Sequence, residues 1–354
     1  MKPPPLGMAL PVSKKTVIPG GNIEIAMDAT EESLLSSLVR TFQEALKLSL
    51  ELFKVMVPVL IAVEILQHLD LIRYLAMPLV PVMEMVGLPP EMGLVWATAM
   101  FNNLYGAMVV FLSLIKQSPM TQAQATVICT MMLVAHSLPV ELRIAQASGP
   151  RLLFQTIMRT GSAFLLGWLL HIFYSGFDLL QAPVNILLSQ GPQALPGPRS
   201  PSLWAWRELQ SLFSIFLIIQ GLFLLMRLLE RIRAIDLMNR LLRPLLKLIG
   251  IGPKASAIAV IGLTMGISYG GGIIIHESRS GRIHRKDVFY ALTFMGLSHA
   301  LIEDTLLMVA LGGDLSGVLI ARLIFSLVAV SLMVKIIDHF PEDLCDRFFW
   351  GNAM

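Results

Sequence analysis

Charge is scarce in this sequence, and that scarcity is the first constraint on what the chain can be. Only 14% of its 354 residues are Asp, Glu, Lys or Arg, against about 25% in a soluble domain. Hydrophobic residues make up 55%, an excess that no soluble fold could cover and that must face lipid. Cysteine is nearly absent: Cys129 and Cys345 are the pair, which excludes a disulfide framework and a Cys-based metal site. The net charge of +3, from 27 basic and 24 acidic residues, is too small to imply a nucleic-acid partner. The first thirty residues hold Pro3, Pro4, Pro5, Lys14, Lys15, Gly20 and Gly21 rather than a basic start running into an apolar stretch, so no cleavable signal is expected. No nucleophile motif or metal-ligand set is visible, so neither an enzyme nor a bound cofactor is expected. The 21 methionines lack the Met–His clustering of a copper site and read as packing.

What is present is a series of long apolar runs. Residues 55–63, 211–226 and 317–334 approach or reach the roughly 20 residues that cross a bilayer as helix. The expected fold is all-α, a polytopic helical membrane protein. Spans are expected near 50–68, 122–140, 152–174, 205–227, 287–308 and 317–337. Residues 33–49 have apolar positions at helical spacing with Arg40, Glu44 and Lys47 between them, as in a helix lying along the interface. The chain then divides into an arm with this helix (1–48), a first unit (49–175), a Pro/Gly-rich linker (176–204), a second unit (205–340) and a tail (341–354).

The two units look like copies. His136 and His299, Arg159 and Arg322, Gly149 and Gly312, and Pro90 and Pro253 are all 163 apart, and Glu141 falls opposite Asp304. The distribution of Lys and Arg sets their orientation. In the second unit Arg227, Arg231, Arg233, Arg240, Arg243 and Lys247 precede residues 254–277, and Arg279, Arg282, Arg285 and Lys286 follow, so both flanks ask to be cytoplasmic. Such a segment dips in and returns as a hairpin broken at 266–272. The other reading is one unbroken helix packed through Gly262, Gly266 and Gly270. In the first unit the corresponding segment is 90–117, with Asn102, Asn103 and Gly106 at its break. Its acidic approach (Asp70, Glu84, Glu91) suits the outer face, whereas Arg143 and Arg151 in a later loop suit the inside. The copies are thus expected to be inverted, with three spans and one re-entrant or broken helix each and both termini cytoplasmic. Secondary transporters recurrently use this plan.

Ionisable residues inside spans carry the chemistry, because a charge near the bilayer centre costs at least about 2.5 kcal/mol. In 298–307, His299 and Glu303 are four apart and are expected to share a helix face, with Asp304 and Thr305 turned toward the next; in 135–144, His136 and Glu141 are the counterparts, with Pro139 loosening the helix. Counted across the turns at Gly149 and Gly312, Glu141 reaches the depth of Arg159 and Glu303 that of Arg322, so each copy can hold one ion pair. The same residues read equally as packing staples without ligand contact. The hairpin tips offer Asn102, Asn103 and Tyr105 from one copy and Ser268 and Tyr269 from the other. Valine at 140 stands where the second copy has Glu303, so the copies are not equivalent.

The segments at 266–272 (GISYGGG), 279–287 (RSGRIHRKD) and 298–307 (SHALIEDTLL), with 102–108 and 135–143 as a diverged first copy, resemble the Gate, or nucleoside-recognition, domain family. That family takes in spore maturation A and B membrane proteins, and related domains occur in concentrative nucleoside transporters and ferrous-iron transporter B. The phosphate-loop motif GxxxxGK[ST] is missing here, so GTP-driven transport by this chain alone is not expected. The resemblance implies a multi-pass protein of the bacterial cytoplasmic membrane with two Gate-like repeats. The leading expectation is an ion- or proton-coupled permease for a small polar solute, a nucleoside-like molecule being one candidate. Asn102, Asn103, Tyr105, Ser268, Tyr269, His136 and His299 would bind the solute. Glu141, Arg159, Glu303, Asp304 and Arg322 would bind or pair the ion. The alternative is a non-transporting scaffold or accessory subunit. The expected partners are the bilayer, a small molecule or ion, and a second copy or another membrane protein.

Overall fold

The computed structural model describes residues 71–115, 118–187, 234–252 and 266–350, with scattered positions in 46–69, 206–232 and 255–263. The arm, the interfacial helix and the linker from 188 onward lie outside the described residues, as do most of the expected spans 50–68 and 205–227.

Among the described residues the regular elements are all helical. In the first copy α1 (Ile72–Ala76) leads through a tight turn into α2 (Val80–Met85), followed by α3 (Met92–Phe101), α4 (Leu104–Leu114), α5 (Gln122–Val134), α6 (Leu138–Ala147) and α7 (Leu152–Gly176). The second copy holds α8 (Ala234–Leu248), α9 (Ile267–Arg279), α10 (Arg285–Ser298), α11 (Glu303–Ala310) and α12 (Arg322–Ile337), and α13 (Glu342–Phe348) follows. The stretches Gln122–Ala147, Leu152–Gly176, Arg285–Ala310 and Ser316–Ile337 are long and apolar enough to cross a membrane.

Two of these helices, α7 and α12, bury polar groups on one face and expose apolar residues on the other. The buried stripe of α7 is Gln155, Arg159, Ser162, Ala163, Leu166, Gly167, Leu170 and Tyr174. Leu153, Ile157, Leu165, Leu169 and Phe173 on its other face are exposed. Buried Arg322 and Ser326 on α12 likewise oppose exposed Ile324, Val328, Leu332 and Ile336. In water that pattern would be costly. In lipid it is the stable arrangement, because the outer face needs apolar cover and polar groups find partners within.

The duplication extends to individual hydrogen bonds. Left-handed or otherwise positive φ recurs at Gly87 and Gly250, Ser137 and Ala300, and Gly149 and Gly312. The turn closing α2 (Leu88 N–H to Met83 O, 2.8 Å) is matched after α8 (Ile251 N–H to Leu246 O, 3.0 Å). Ser137 N–H donates to Ala99 O at 2.9 Å, as Ala300 N–H does to Gly262 O at 3.4 Å.

The copies run in opposite directions. Near the start of α7, Phe154 packs on Phe289 at the start of α10, ring centroids 5.2 Å apart. Near its end, Tyr174 bonds Ser316 at 2.8 Å. The turn entered at Ser316 packs on the start of α5, Gly317 lying against Thr126. Since α7 is one uninterrupted helix, α5 and α10 start at opposite ends of it and are antiparallel.

Residues 90–115, the described part of the expected hairpin, form one: α3 and α4 pack side by side, joined at Asn102 and Asn103, where Asn103 Oδ1 caps α4 by accepting from Gly106 N–H at 2.8 Å. In the second copy the chain leaves helical geometry at Gly266 (φ 81°, ψ 159°) before α9 begins. Only glycine adopts that conformation readily, so the unbroken-helix reading of 254–277 does not hold. Gly262 has a separate role, because a β-carbon there would run into Met295 of α10.

Two features of the ends were not apparent in the sequence. The first part of the linker returns onto α5, with Ala123 N–H donating to Leu180 O (2.8 Å) and Gln122 N–H to Ala182 O (2.9 Å). The tail is packed too: α13 carries Trp350 into a bridge with Pro150, and Trp350 is buried against Phe289.

Candidate functional site

The expected His-bearing spans are both broken, and the histidines sit at the breaks. Helix α5 ends at Val134 and α6 starts at Leu138, with Ser137 at φ 47° between them. Helix α10 ends at Ser298, His299 caps it in extended geometry, and Ala300 has φ 46°. His299 and Glu303 therefore do not share a helix face, which corrects the sequence expectation. Tertiary bonds hold the breaks, since the residue after each histidine donates its N–H to a distant carbonyl, Ala99 O in α3 for Ser137 and Gly262 O for Ala300.

A helix that stops inside a membrane leaves carbonyl oxygens without helical partners. The two arginines supply them. Arg159 Nε donates to Val134 O (3.1 Å) and Nη2 to His136 O (3.1 Å). Arg322 repeats the pattern on Leu297 O (3.0 Å) and His299 O (2.7 Å). Capping broken helices is the role that sequence reasoning missed, and the spacing of 23 between His136 and Arg159 and between His299 and Arg322 was its visible trace.

The third donor of each arginine separates the copies. Arg159 Nη1 reaches Glu141 Oε2 at 2.6 Å, both side chains being buried. Arg322 Nη1 is buried without a partner. The expected Glu303–Arg322 pair does not form; Glu303 Oε1 instead accepts from Tyr105 O–H at 3.3 Å. By position Asp304 is the counterpart of Glu141, but its chain is one methylene shorter, and it turns to His136 Nε2 at 3.7 Å.

Because α5 and α10 approach from opposite ends, their histidines meet. His136 Nε2 and His299 Nε2 are 3.0 Å apart. His136 Nδ1 lies 3.1 Å from Met132 O, and His299 Nδ1 lies 2.9 Å from Met295 O. A carbonyl can only accept, so both Nδ1 atoms carry hydrogen and the two Nε2 atoms are turned toward each other. Glu141 Oε1 completes the group, 3.1 Å from His299 Nε2 and 3.6 Å from His136 Nε2. Ser298 Oγ and Thr305 Oγ1, adjoining His299 and Asp304, are buried without partners.

The structure thus brings together His136, His299, Glu141, Arg159, Asp304 and Arg322, with Tyr105 and Glu303 at one side. Asn103 is occupied as a helix cap, and Asn102 lies half-buried in the same tip. The Ser268 and Tyr269 side chains fall outside the described residues, although α9 carries their backbone. A cavity of about 1160 Å³ lies elsewhere, lined by Arg143, Arg151, Arg279 and Arg347 with Phe348 and Phe349, and none of the buried histidines or acids borders it.

Comparison with known proteins agrees with this architecture. Residues 212–314 match the Gate family, described as nucleoside recognition. An uncharacterized membrane protein of Bacillus subtilis strain 168, YvoD, is 25% identical over 270 residues, covering 76% of this chain and 85% of the relative. No solved structure gives a significant match. The family match falls on the second copy, with its basic turn and the His299 break, so residues 212–314 are similar to a Gate, or nucleoside-recognition, domain.

Proposed function

We propose that the protein is a secondary transporter of the bacterial cytoplasmic membrane, moving a small polar solute in exchange or symport with a cation. The observation that carries this reading is the meeting of two antiparallel half-helices at a cluster of two buried histidines and buried Glu141, with half-buried Asp304 beside them. Burying that many ionisable groups is expensive, and in membrane proteins they mark ion and substrate paths. Tyr105, beside the first tip, bonds Glu303 and so links that tip to the acids. A nucleoside-like solute suits such a mixture of hydrogen-bonding groups, and the family description points the same way.

The test is solute-dependent thermal stabilisation of the purified protein, followed by uptake into proteoliposomes. Nucleosides, bases and other small polar solutes form the panel, with Na⁺ present or absent and at two pH values. The reading expects one chemical class to stabilise the protein and to be taken up, with uptake lost in a folded Glu303→Ala variant. A protein that responds to no solute and co-purifies with a fixed membrane partner is a scaffold, and the transport reading then fails.

A further inference from the structure

The site above contains a geometric problem whose solution names the ion. Two imidazole Nε2 lone pairs face each other at 3.0 Å, because both Nδ1–H groups are committed to Met132 O and Met295 O. Two acceptors repel at that distance unless something positive lies between them. Glu141 Oε1 adds a third acceptor directed at the same point, 3.1 Å from one Nε2 and 3.6 Å from the other.

We propose that His136 Nε2, His299 Nε2 and Glu141 Oε1 form a site for a divalent transition ion of the zinc class, with Asp304 closing the fourth position. A tetrahedral zinc ion about 2.0–2.1 Å from its ligands holds them roughly 3.3 Å apart. The three observed edges, 3.0, 3.1 and 3.6 Å, bracket that value. The three residues are buried and offer ligand atoms within 4.8 Å of one another. Two imidazoles with carboxylate suit zinc and its first-row neighbours, whereas magnesium and calcium prefer oxygen alone.

The surroundings are those of a metal site. Each ligating histidine has its other nitrogen fixed on a carbonyl, and the ligating carboxylate is held by Arg159 through its second oxygen at 2.6 Å. Such outer partners set ring orientation and tautomer. Asp304, not held by Arg322, is free to turn to the ion: its Oδ2 lies 3.7 Å from His136 Nε2, and its side chain keeps 16% exposure, which provides a way in. Glu141 and Asp304 balance the two charges of the ion. The buried guanidinium groups of Arg159 and Arg322 oppose it, which suits an ion that is bound and released rather than locked in place.

This inference deepens the transport reading by naming the cation, and the two can fail separately. Full-length protein in detergent is stripped with chelator and titrated with Zn²⁺ and with Co²⁺, whose visible spectrum reports coordination. The expected result is one ion per chain, a tetrahedral Co²⁺ spectrum displaced by Zn²⁺, and a zinc-dependent rise in melting temperature. His136→Gln and His299→Gln should each weaken binding more than the roughly 10- to 100-fold seen on losing an outer-shell partner. His276→Gln, at an exposed histidine, should change nothing. If the His variants do not fold, the wild-type titration decides alone. Wild-type protein that takes up no ion, gives an octahedral Co²⁺ spectrum, or binds equally after both His substitutions overturns the proposal and leaves a proton shared between the rings. Zinc binding without any solute response would sustain the metal site and sink the transport reading; solute uptake without metal would do the reverse.

Discussion

The difference between Glu141 and Asp304 predicts that lengthening one acid stabilises the protein and shortening the other destabilises it. In Asp304→Glu the added methylene moves the carboxylate about 1.5 Å outward, toward the unpartnered Arg322 Nη1. The model for the new contact is already present in the first copy, where the longer acid bonds Arg159 Nη1 at 2.6 Å. A buried donor left unsatisfied costs about 1–3 kcal/mol, and a charged one more. Asp304→Glu should therefore gain about 1–3 kcal/mol, and Glu141→Asp should lose a similar amount by orphaning Arg159. The double exchange mirrors the site and should lie near wild type, with some non-additivity because both acids face His136. Intrinsic tryptophan fluorescence during thermal unfolding in a fixed detergent measures all of these. The lengthened acid should also bind zinc more weakly, because it is drawn away from the ion. If Asp304→Glu were destabilising and Glu141→Asp neutral, the assignment of these acids as unequal counterparts would be wrong.

Three further outcomes follow from the same geometry. Gly266→Ala places a side chain at φ 81°, ψ 159° and should cost about 1–3 kcal/mol, read as a lowered melting temperature; Gly272→Ala, with open space around it, is the control. Arg159→Met removes the caps on Val134 O and His136 O and leaves Glu141 a buried lone charge, so a loss of about 3–5 kcal/mol is expected; retention of a wild-type melting temperature would contradict the capping role. Trp350→Ala empties a packed position against Phe289 and should destabilise by about 3–5 kcal/mol, whereas a free tail would tolerate the change.

The membrane class was legible because it follows from composition, and the duplication because the 163-residue register marks positions under one constraint. Gly87, Gly149 and their partners hold positive φ, and the paired arginines cap equivalent carbonyls. The break at His299 was not legible, and that at His136 was legible only through Pro139, expected to loosen the helix and found in the first turn of α6. Ala135–His136–Ser137 and Ser298–His299–Ala300 contain no glycine or proline, and the helix is interrupted by bonds to Ala99 O and Gly262 O, far away in sequence. With the helix assumed continuous, the i, i+4 rule joined His299 to Glu303; the break rotates the following turn and brings Asp304 to the histidines instead. The Glu303–Arg322 pairing failed for the same reason, since counting residues across a turn gives depth but not direction. The His136–His299 contact was invisible for a different one: it lies between the copies, and no local pattern encodes it.

Two copies of one unit enter the membrane from opposite sides and meet at their histidines. Single cysteines at Ser118 and Arg282, in a background with Cys129 and Cys345 replaced by alanine, test it most directly by impermeant labelling of intact and opened cells. These positions precede α5 and α10, which start at opposite ends of α7. One site should label only from outside and the other only from inside; labelling of both from the same face would rule out the inverted arrangement.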